Sequence, residues 1–427
     1  MTARPSLIDD CFLHDKDRLQ HEEALDLLQN RLESVVSLET IRFTDAHNRI
    51  LGKDVVATHM VPLHTNSAVD GYAFDSADLP NQPLPVSGTI AAGDLDPPPL
   101  MKGTAVRIFT GAPMPAGAQT VAMQEDCTAT DDTVSLPVEL KNGANCRLAG
   151  EDLQPGDRVA KCGRWLAAAD LAALASIGCQ EVAVFKKLRI ALFSNGNEMR
   201  IPSADSKPLR TGEVYDTNIP MLSALCSTLP VEITPMGIIR DDAILAEQAI
   251  KQASSSHDVI LTTGGASRGA EDHMVTTLEK LGKRHLWQLA IKPGRPMVFG
   301  QIPRSTEDHD CLFFGLPGNP VAAMVCFLLY TRPALLKLAG GLWSTPHRFQ
   351  VPSGFEIKRK KPDRREFLRG ILQTAPDGTL IVDKFGRDGS GLISSLREAD
   401  GLIEIPEHVT SLQKGALVSF IPFNSFT

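Results

Sequence analysis

The stretch from Asp258 to Asp272 reads DVILTTGGASRGAED and holds the elements of a phosphate site. Val259, Ile260 and Leu261 form an apolar run short enough for a buried strand. Gly264 and Gly265 follow, then Ser267, then a helical pattern. A strand, a glycine-rich turn and a helix start together turn free backbone N–H groups toward a ligand. The carboxylates of Glu271 and Asp272 would repel a bare phosphate, so a divalent cation between them reconciles the two. The plainer reading is a strand end with an acidic helix start, because a glycine-rich turn alone is a weak motif. Further strand ends add to the signal: residues 194–198 (SNGNE), Asp241-Asp242, and residues 315–320 (GLPGNP). The loop 292–296 (KPGRP) supplies cations. Glycines, carboxylates and cations collected at several ends of one sheet point to an anionic ligand and a metal.

The elements that must position these residues follow from periodicity. Between residues 187 and 340 apolar strand runs alternate with helical patterns, which predicts a mostly parallel, three-layer α/β domain with ligands beyond the carboxyl ends of its strands. LRIALF, VEITPMGII, HLWQLAI, PMVFGQI and CLFFGL are strand candidates. NIPMLSALCSTL is a helix, with Asp216, Thr217 and Asn218 as candidate N-caps. Asn319 and Pro320 start a strongly apolar helix that Pro333 should kink or interrupt. Residues 17–36 read as an amphipathic helix with Leu25, Leu28, Leu32 and Val35 on one face, a packing or dimer element. From residue 58 the texture turns to short β segments with dense Pro and Gly, including a hairpin at residues 130–132. Two turns there, residues 66–72 and 110–115, gather small polar residues around Asp70 and Thr110. After Gly340-Gly341 the pattern returns to short strands, with a hairpin at Asp377-Gly378, as expected for a small β-barrel or sandwich. The resulting division is a linking region (1–57 and 154–185, carrying the N-terminal helix), a β-rich domain (58–153), the α/β domain (186–340) and a C-terminal β-barrel domain (345–427).

Composition limits the function class. A chain of 427 residues is too long for one ordinary core. A net charge of −8 and no clustered basic motif argue against a nucleic-acid binder. The eight cysteines include no C-x-x-C pair, so neither zinc nor a disulfide framework is indicated, and a reducing cytoplasm is expected. The first residues are polar and acidic, unlike a signal peptide, and the apolar run 321–330 is too short to span a bilayer.

Several motifs occur together in one order: NSAVDGYA at 66–73, RIFTGAPMPAGA at 107–118, and Arg147 with Gly150-Glu151-Asp152. SNGNE at 194–198, Gly237 with Asp241-Asp242, TTGGASRGAED at 262–272, AIKPGRP at 290–296 and GLPGNPVAA at 315–323 complete the set. This set resembles the molybdopterin molybdenumtransferase (MoeA) family, whose eukaryotic counterpart is the C-terminal part of gephyrin, over nearly the whole chain. The resemblance implies a four-part subunit whose α/β domain binds molybdopterin. It implies a homodimer with the active site in a cleft between the α/β domain of one subunit and the β-rich domain of the other. The implied reaction takes adenylylated molybdopterin, cleaves its pyrophosphate link with release of AMP, and inserts molybdate, with Mg²⁺ as the metal. Carried over residue by residue, it implies catalytic roles for Asp70, Thr110, Arg147, Asp152, Glu198 and Lys292. It implies a pterin-phosphate cradle of Gly264, Gly265, Ser267, Arg295, Pro317, Gly318, Asn319 and Pro320, and metal ligation by Asp241, Asp272 and Glu198. Molybdopterin adenylyltransferase and apo-molybdoenzymes are the implied partners, with no nucleic acid and no membrane.

The chain departs from the family pattern at four positions. Asn195 and Val69 stand where Thr and Met are usual, Gln288 replaces a second lysine, and Arg268 takes the place of a small apolar residue. Two alternatives stay open on the sequence. A molybdopterin adenylyltransferase shares the α/β domain but lacks counterparts of residues 1–185 and 345–427. A non-catalytic carrier or scaffold would tolerate the losses at Asn195 and Gln288.

Overall fold

A computed structural model describes residues 18–203, 208–264, 273–304 and 309–426. Its centre is a six-stranded sheet in the order Val231–Ile239, Leu188–Asn195, Val259–Thr263, Cys311–Leu316, Pro296–Ile302 and Lys283–Gln288. The first four strands are parallel, and Pro296–Ile302 runs antiparallel to both of its neighbours. The apolar runs are continuous because both faces are covered. Leu188, Ile190 and Leu192 pack with Leu222 and Cys226 of the helix Asn218–Ser227 on one side. Ala191 and Phe193 pack with Ala246, Ile250 and Leu278 of the helices Ala243–Ser256 and His273–Leu281 on the other. The expected three layers are present, with an antiparallel edge.

The apolar helix that begins at Pro320 closes the first face. It runs as Pro320–Cys326, one π-helical turn Phe327–Thr331, and Arg332–Leu338. Pro333 does not break it. The wider turn immediately before the proline absorbs the missing N–H and the ring, so the interruption expected from sequence becomes a local change of pitch. By length and composition this helix could cross a bilayer, but 89% of its apolar window is buried inside the fold, as in a core helix.

The N-terminal helix spans His21–Arg31, shorter than its apolar pattern, because Leu32 adopts an extended conformation and Val35 N–H bonds to Leu338 O at the end of the long helix. Its buried face, Ala24 and Leu28, joins the α/β core. Leu38–Arg42 pairs with Glu181–Phe185, and Val55–Val56 with Arg158–Ala160, so distant parts of the chain build one small unit. Between them a second sheet orders as Thr120–Met123, Gly71–Phe74, Ala105–Ile108, Leu84–Ile90, Thr133–Ser135 and Thr128–Ala129.

The C-terminal sheet takes Phe349–Pro352, Arg365–Thr374, Leu380–Lys384, Gly401–Ile405 and Leu417–Pro422. One bridge, Ser353 with Val382, links its outer members. The segment HLWQLAI is not a single strand. After Gln288 the chain leaves the α/β sheet, Leu289 bridges Leu19, and Ile291–Lys292 joins the C-terminal sheet beside Arg365 and Glu366.

Candidate active site

Strand order reverses direction between Leu188–Asn195 and Val259–Thr263, which makes their carboxyl ends the crevice where such sheets hold ligands. Gly264 sits at that point with φ +80, and a Cβ there would stand 2.6 Å from Asn195 O. Gly318 faces it: a Cβ on Gly318 would lie 3.6 Å from Gly264 Cα. Glycine is therefore required at 264 by conformation and by space, and Gly318 packs against it, so the two turns together present one side-chain-free slot at the sheet edge and not a gap between them.

Beside the slot, Asn197 and Asp241 exchange bonds. Asn197 N–H donates to Asp241 Oδ2 at 3.1 Å, and Asp241 N–H donates to Asn197 Oδ1 at 3.2 Å. Asp242 is occupied as the N-cap of Ala243–Ser256, accepting from Ile244 and Leu245 at 2.9 Å each. The exposed Glu198 carboxylate lies close over Gly196, where a Cβ would meet its Oε2 at 2.5 Å. Oxygen donors of this kind suit a hard divalent cation. Asp241 and Glu198 are not drawn into a three-ligand cluster among the described residues. The one cluster found there, His21, Glu22 and Glu404, has both glutamates engaged by Arg365.

A cavity of about 390 Å³ opens next to Pro317, Gly318 and Asn319. Lys292 and Pro293 form one wall, and Phe367, Arg369 and Ser390 of the C-terminal sheet and its loops form another. Lys292 Nζ is 3.6 Å from Glu366 Oε2. Arg369 is buried, donates from Nε to Ser395 Oγ at 3.2 Å, and reaches the Arg387 and Gly389 carbonyls at 3.4 Å. Burial lowers its pKa, with Asp388 opposing. The long helix begins here. Asn319 stands at the N-cap position without a capping bond from its side chain, and Val321 N–H bonds to Ser390 O at 3.0 Å. Two cations and a helix start at one cavity suit an oxyanion.

The N-terminal motifs form a second patch. Asp70 Oδ1 accepts from the Thr110 N–H and the Thr110 hydroxyl, both at 2.7 Å. The N–H first and then the hydroxyl hold the Asp70 carboxyl below its usual range. Arg147 pairs in register with Asn66 of the Asp70 loop, whereas Asp152 is tied by its N–H to Val61 O, and both side chains are exposed.

The structure thus brings Glu198, Asp241, Gly264, Lys292, Pro317, Gly318 and Asn319 to one edge, with Pro320 opening the helix there and exposed Arg295 on the same loop as Lys292. Asp70, Thr110, Arg147 and Asp152 form the separate patch. Gly265, Ser267, Arg268 and Asp272 lie outside the described residues. Gln288 Oε1 accepts from Arg295 Nη2 at 3.3 Å, so the residue replacing the usual lysine restrains a neighbouring cation. Sequence reading missed Arg369 and Ser390. They belong to a strand and a loop with no motif, and only the tertiary fold brings them to the cavity. It also read Asn218 as a cap alone, whereas its side chain binds Thr263 and Gly318.

Three family descriptions match the chain in order: the MoeA N-terminal region (domain I and II) at residues 19–178, a probable molybdopterin binding domain at 191–337, and the MoeA C-terminal region (domain IV) at 352–423. The chain is 34% identical over 406 residues to the molybdopterin molybdenumtransferase of Haemophilus influenzae, covering 94% of this chain and 98% of that one. It is 29% identical to gephyrin of Dictyostelium discoideum, covering 94% of this chain and 61% of that protein. The crystal structure of a molybdopterin biosynthesis moeA protein from Pyrococcus horikoshii OT3 superposes with a TM-score of 0.79 at 26% identity, covering 95% and 100% of the two chains.

Proposed function

The chain belongs to the MoeA family of molybdopterin molybdenumtransferases, acting in molybdenum cofactor biosynthesis, and from that premise we propose the reaction its site performs. It binds adenylylated molybdopterin, releases AMP by cleaving the pyrophosphate link, and inserts molybdate at the dithiolene. Atoms balance if water adds across the P–O–P link, and if one molybdate oxygen leaves as water when the two thiols bind the metal.

The observation that carries this reading is that Gly318, packed against Gly264, also lines the cavity bearing Lys292 and Arg369. The glycine turns let the pterin phosphate approach the main chain at the strand ends. The cavity takes the second oxyanion, where Lys292 and Arg369 offset its charge. Asp241 and Glu198, with Asp272, fit Mg²⁺ as oxygen donors: Asp241 spends one oxygen on Asn197 N–H and the Glu198 carboxylate accepts no hydrogen bond among the described residues. Bound there, the ion would offset charge on the pyrophosphate oxygens. The Asp70–Thr110 patch is supplied by the partner subunit of a homodimer, which accounts for its separation from the slot. The bonds from Thr110 keep Asp70 ionised, so its role is electrostatic positioning rather than acid catalysis. The protein works in the cytoplasm, receiving substrate from an adenylyltransferase and passing product to apo-molybdoenzymes.

A single-turnover assay with purified protein, adenylylated molybdopterin, Mg²⁺ and molybdate tests the reading. AMP release that requires molybdate, and a product that activates an apo-molybdoenzyme, are expected. Tight pterin binding with no AMP formed would refute it in favour of a carrier.

A further inference from the structure

Asn218 opens the helix Asn218–Ser227, yet it does not cap that helix. The cap is Asp216, whose Oδ1 accepts from the Asn218 and Ile219 N–H groups at 2.9 and 3.2 Å. The Asn218 side chain binds two other elements instead. Its Nδ2 donates to Thr263 Oγ1 at 2.6 Å and to Gly318 O at 2.7 Å. The Thr263 hydroxyl in turn donates a hydrogen bond to Pro317 O at 3.2 Å. Asn218 is 1% exposed and Thr263 fully buried, so water does not compete for these bonds.

The orientation of the amide is forced. Gly318 O can only accept, so nitrogen must face it, and both donors are then used. Asn218 Oδ1 accepts no hydrogen bond among the described residues, so the side chain acts here through its two donors. Those donors join the turn after Thr263 to the Pro317–Gly318 loop. Neither Gly264 nor Gly318 has a side chain to fix the contact between the turns, and the sheet bond next to them, Gly264 N–H to Leu316 O at 3.2 Å, stops short of Gly318.

We propose that Asn218 is a positioning residue that holds the turn after Thr263 and the Pro317–Gly318 loop in fixed relation at the edge of the ligand cavity. Its effect on turnover rests on the transferase reading given above, whereas its effect on the two loops does not. An aspartate in its place keeps the shape but, once ionised, turns an acceptor toward the Gly318 carbonyl. Protonation returns one donor.

Steady-state AMP release by Asn218→Ala and Asn218→Asp tests this, alongside amide hydrogen exchange at Gly264 and Gly318. KM for adenylylated molybdopterin should rise about 10- to 100-fold in both variants at pH 7.5, with kcat within about threefold of the wild type. Between about pH 7.5 and 5.5 the Asp variant should recover toward wild-type KM relative to the Ala variant, because its carboxyl regains a proton. Exchange at both glycines should quicken about tenfold or more in the Ala variant. Unchanged KM in Asn218→Ala overturns the proposal. So does a fall in kcat and melting temperature with no pH-dependent recovery in Asn218→Asp, which would mark a merely structural residue. If the wild type itself releases no AMP, the transferase reading fails, and the exchange rates alone decide whether the clamp exists.

Discussion

Replacing Gly264 and Gly318 separately by alanine should break the site in two different ways. At Gly264 the backbone has φ +80, and the new Cβ would stand 2.6 Å from a main-chain oxygen, Asn195 O. The left-handed conformation costs about 1–2 kcal/mol, and relieving a clash against backbone costs about 1–3 kcal/mol more. Gly264→Ala should therefore lose about 2–5 kcal/mol of stability in the α/β domain. At Gly318 no positive φ occurs, and the nearest atom to a new Cβ is Gly264 Cα at 3.6 Å, an ordinary contact. Gly318→Ala should leave stability within about 0.5 kcal/mol of the wild type while placing a methyl group in the slot. Urea unfolding followed by near-ultraviolet circular dichroism, with single-turnover AMP release on the same preparations, separates the two. Expected are a lowered midpoint for Gly264→Ala, and an unchanged midpoint with weakened substrate binding for Gly318→Ala. Equal destabilisation by both, or full activity in Gly318→Ala, would refute the idea that the paired glycine turns form part of the ligand site.

Three other outcomes follow from charges described by the structure. Asp258, 2% exposed, accepts from Arg189 N, Nε and Nη2 and from Arg304 Nη1, with His309 Nε2 3.3 Å away. Burial alone would raise its pKa, but the bonds from His309 and Arg189 outweigh it and lower it. Asp258→Asn removes the charge shared by Arg189 and Arg304 and should cost about 1–3 kcal/mol by urea unfolding at pH 7. The stabilisation from Asp258 is present above the unfolded carboxylate pKa and is lost as pH falls through its depressed folded value, so the variant should show a shallower loss below about pH 4. His21 is buried against Tyr330 and Phe367, its Nδ1 2.6 Å from Tyr330 Oη, and burial followed by Arg365 and Arg348 lowers its pKa to about 3. The unfolded chain takes up this proton first, so stability should fall by up to about 1.4 kcal/mol per pH unit below about pH 6.5, and His21→Gln should flatten that slope between about pH 6.5 and 4. Chelation should abolish AMP release and added Mg²⁺ restore it, with Asp241→Asn raising the half-maximal Mg²⁺ concentration about tenfold; no change in that concentration would remove Asp241 from the metal site.

The sheet was legible because its strands are buried on both faces and its helices carry strong periodicity. The runs around Leu192, Leu261 and Phe314 could not be anything but central strands once the intervening helices were counted. The residues at the strand ends were legible for a related reason: at a carboxyl edge only glycines and polar groups are left, and they stand out against apolar runs. What was not legible depends on contacts far apart in sequence. Arg369 occupies an alternating position in a strand like any other, and its place at the cavity wall follows from how two sheets meet. Asn218 stands at the start of a helix and so resembles a cap, but Asp216 accepts from the Asn218 and Ile219 N–H groups and leaves the Asn218 amide for another use. Pro333 reads as a break because a sequence shows the missing N–H and not the wider turn that accommodates it.

The passage of the chain through residues 288–292 bears on how such proteins can be cut and recombined. Gln288 is hydrogen-bonded into the α/β sheet, and three residues later Ile291 and Lys292 are hydrogen-bonded into the C-terminal sheet beside Arg365 and Glu366. The C-terminal part is therefore not a module appended at one hinge. A truncation near residue 345 would strip the neighbour from a strand upstream and leave its edge open to self-association. A chimera that exchanged 345–427 alone would mate a foreign edge to Ile291 and displace Lys292 from the wall it shares with Arg369. The heritable unit, for an engineer or for recombination, is the pair of segments 288–296 and 345–427 together.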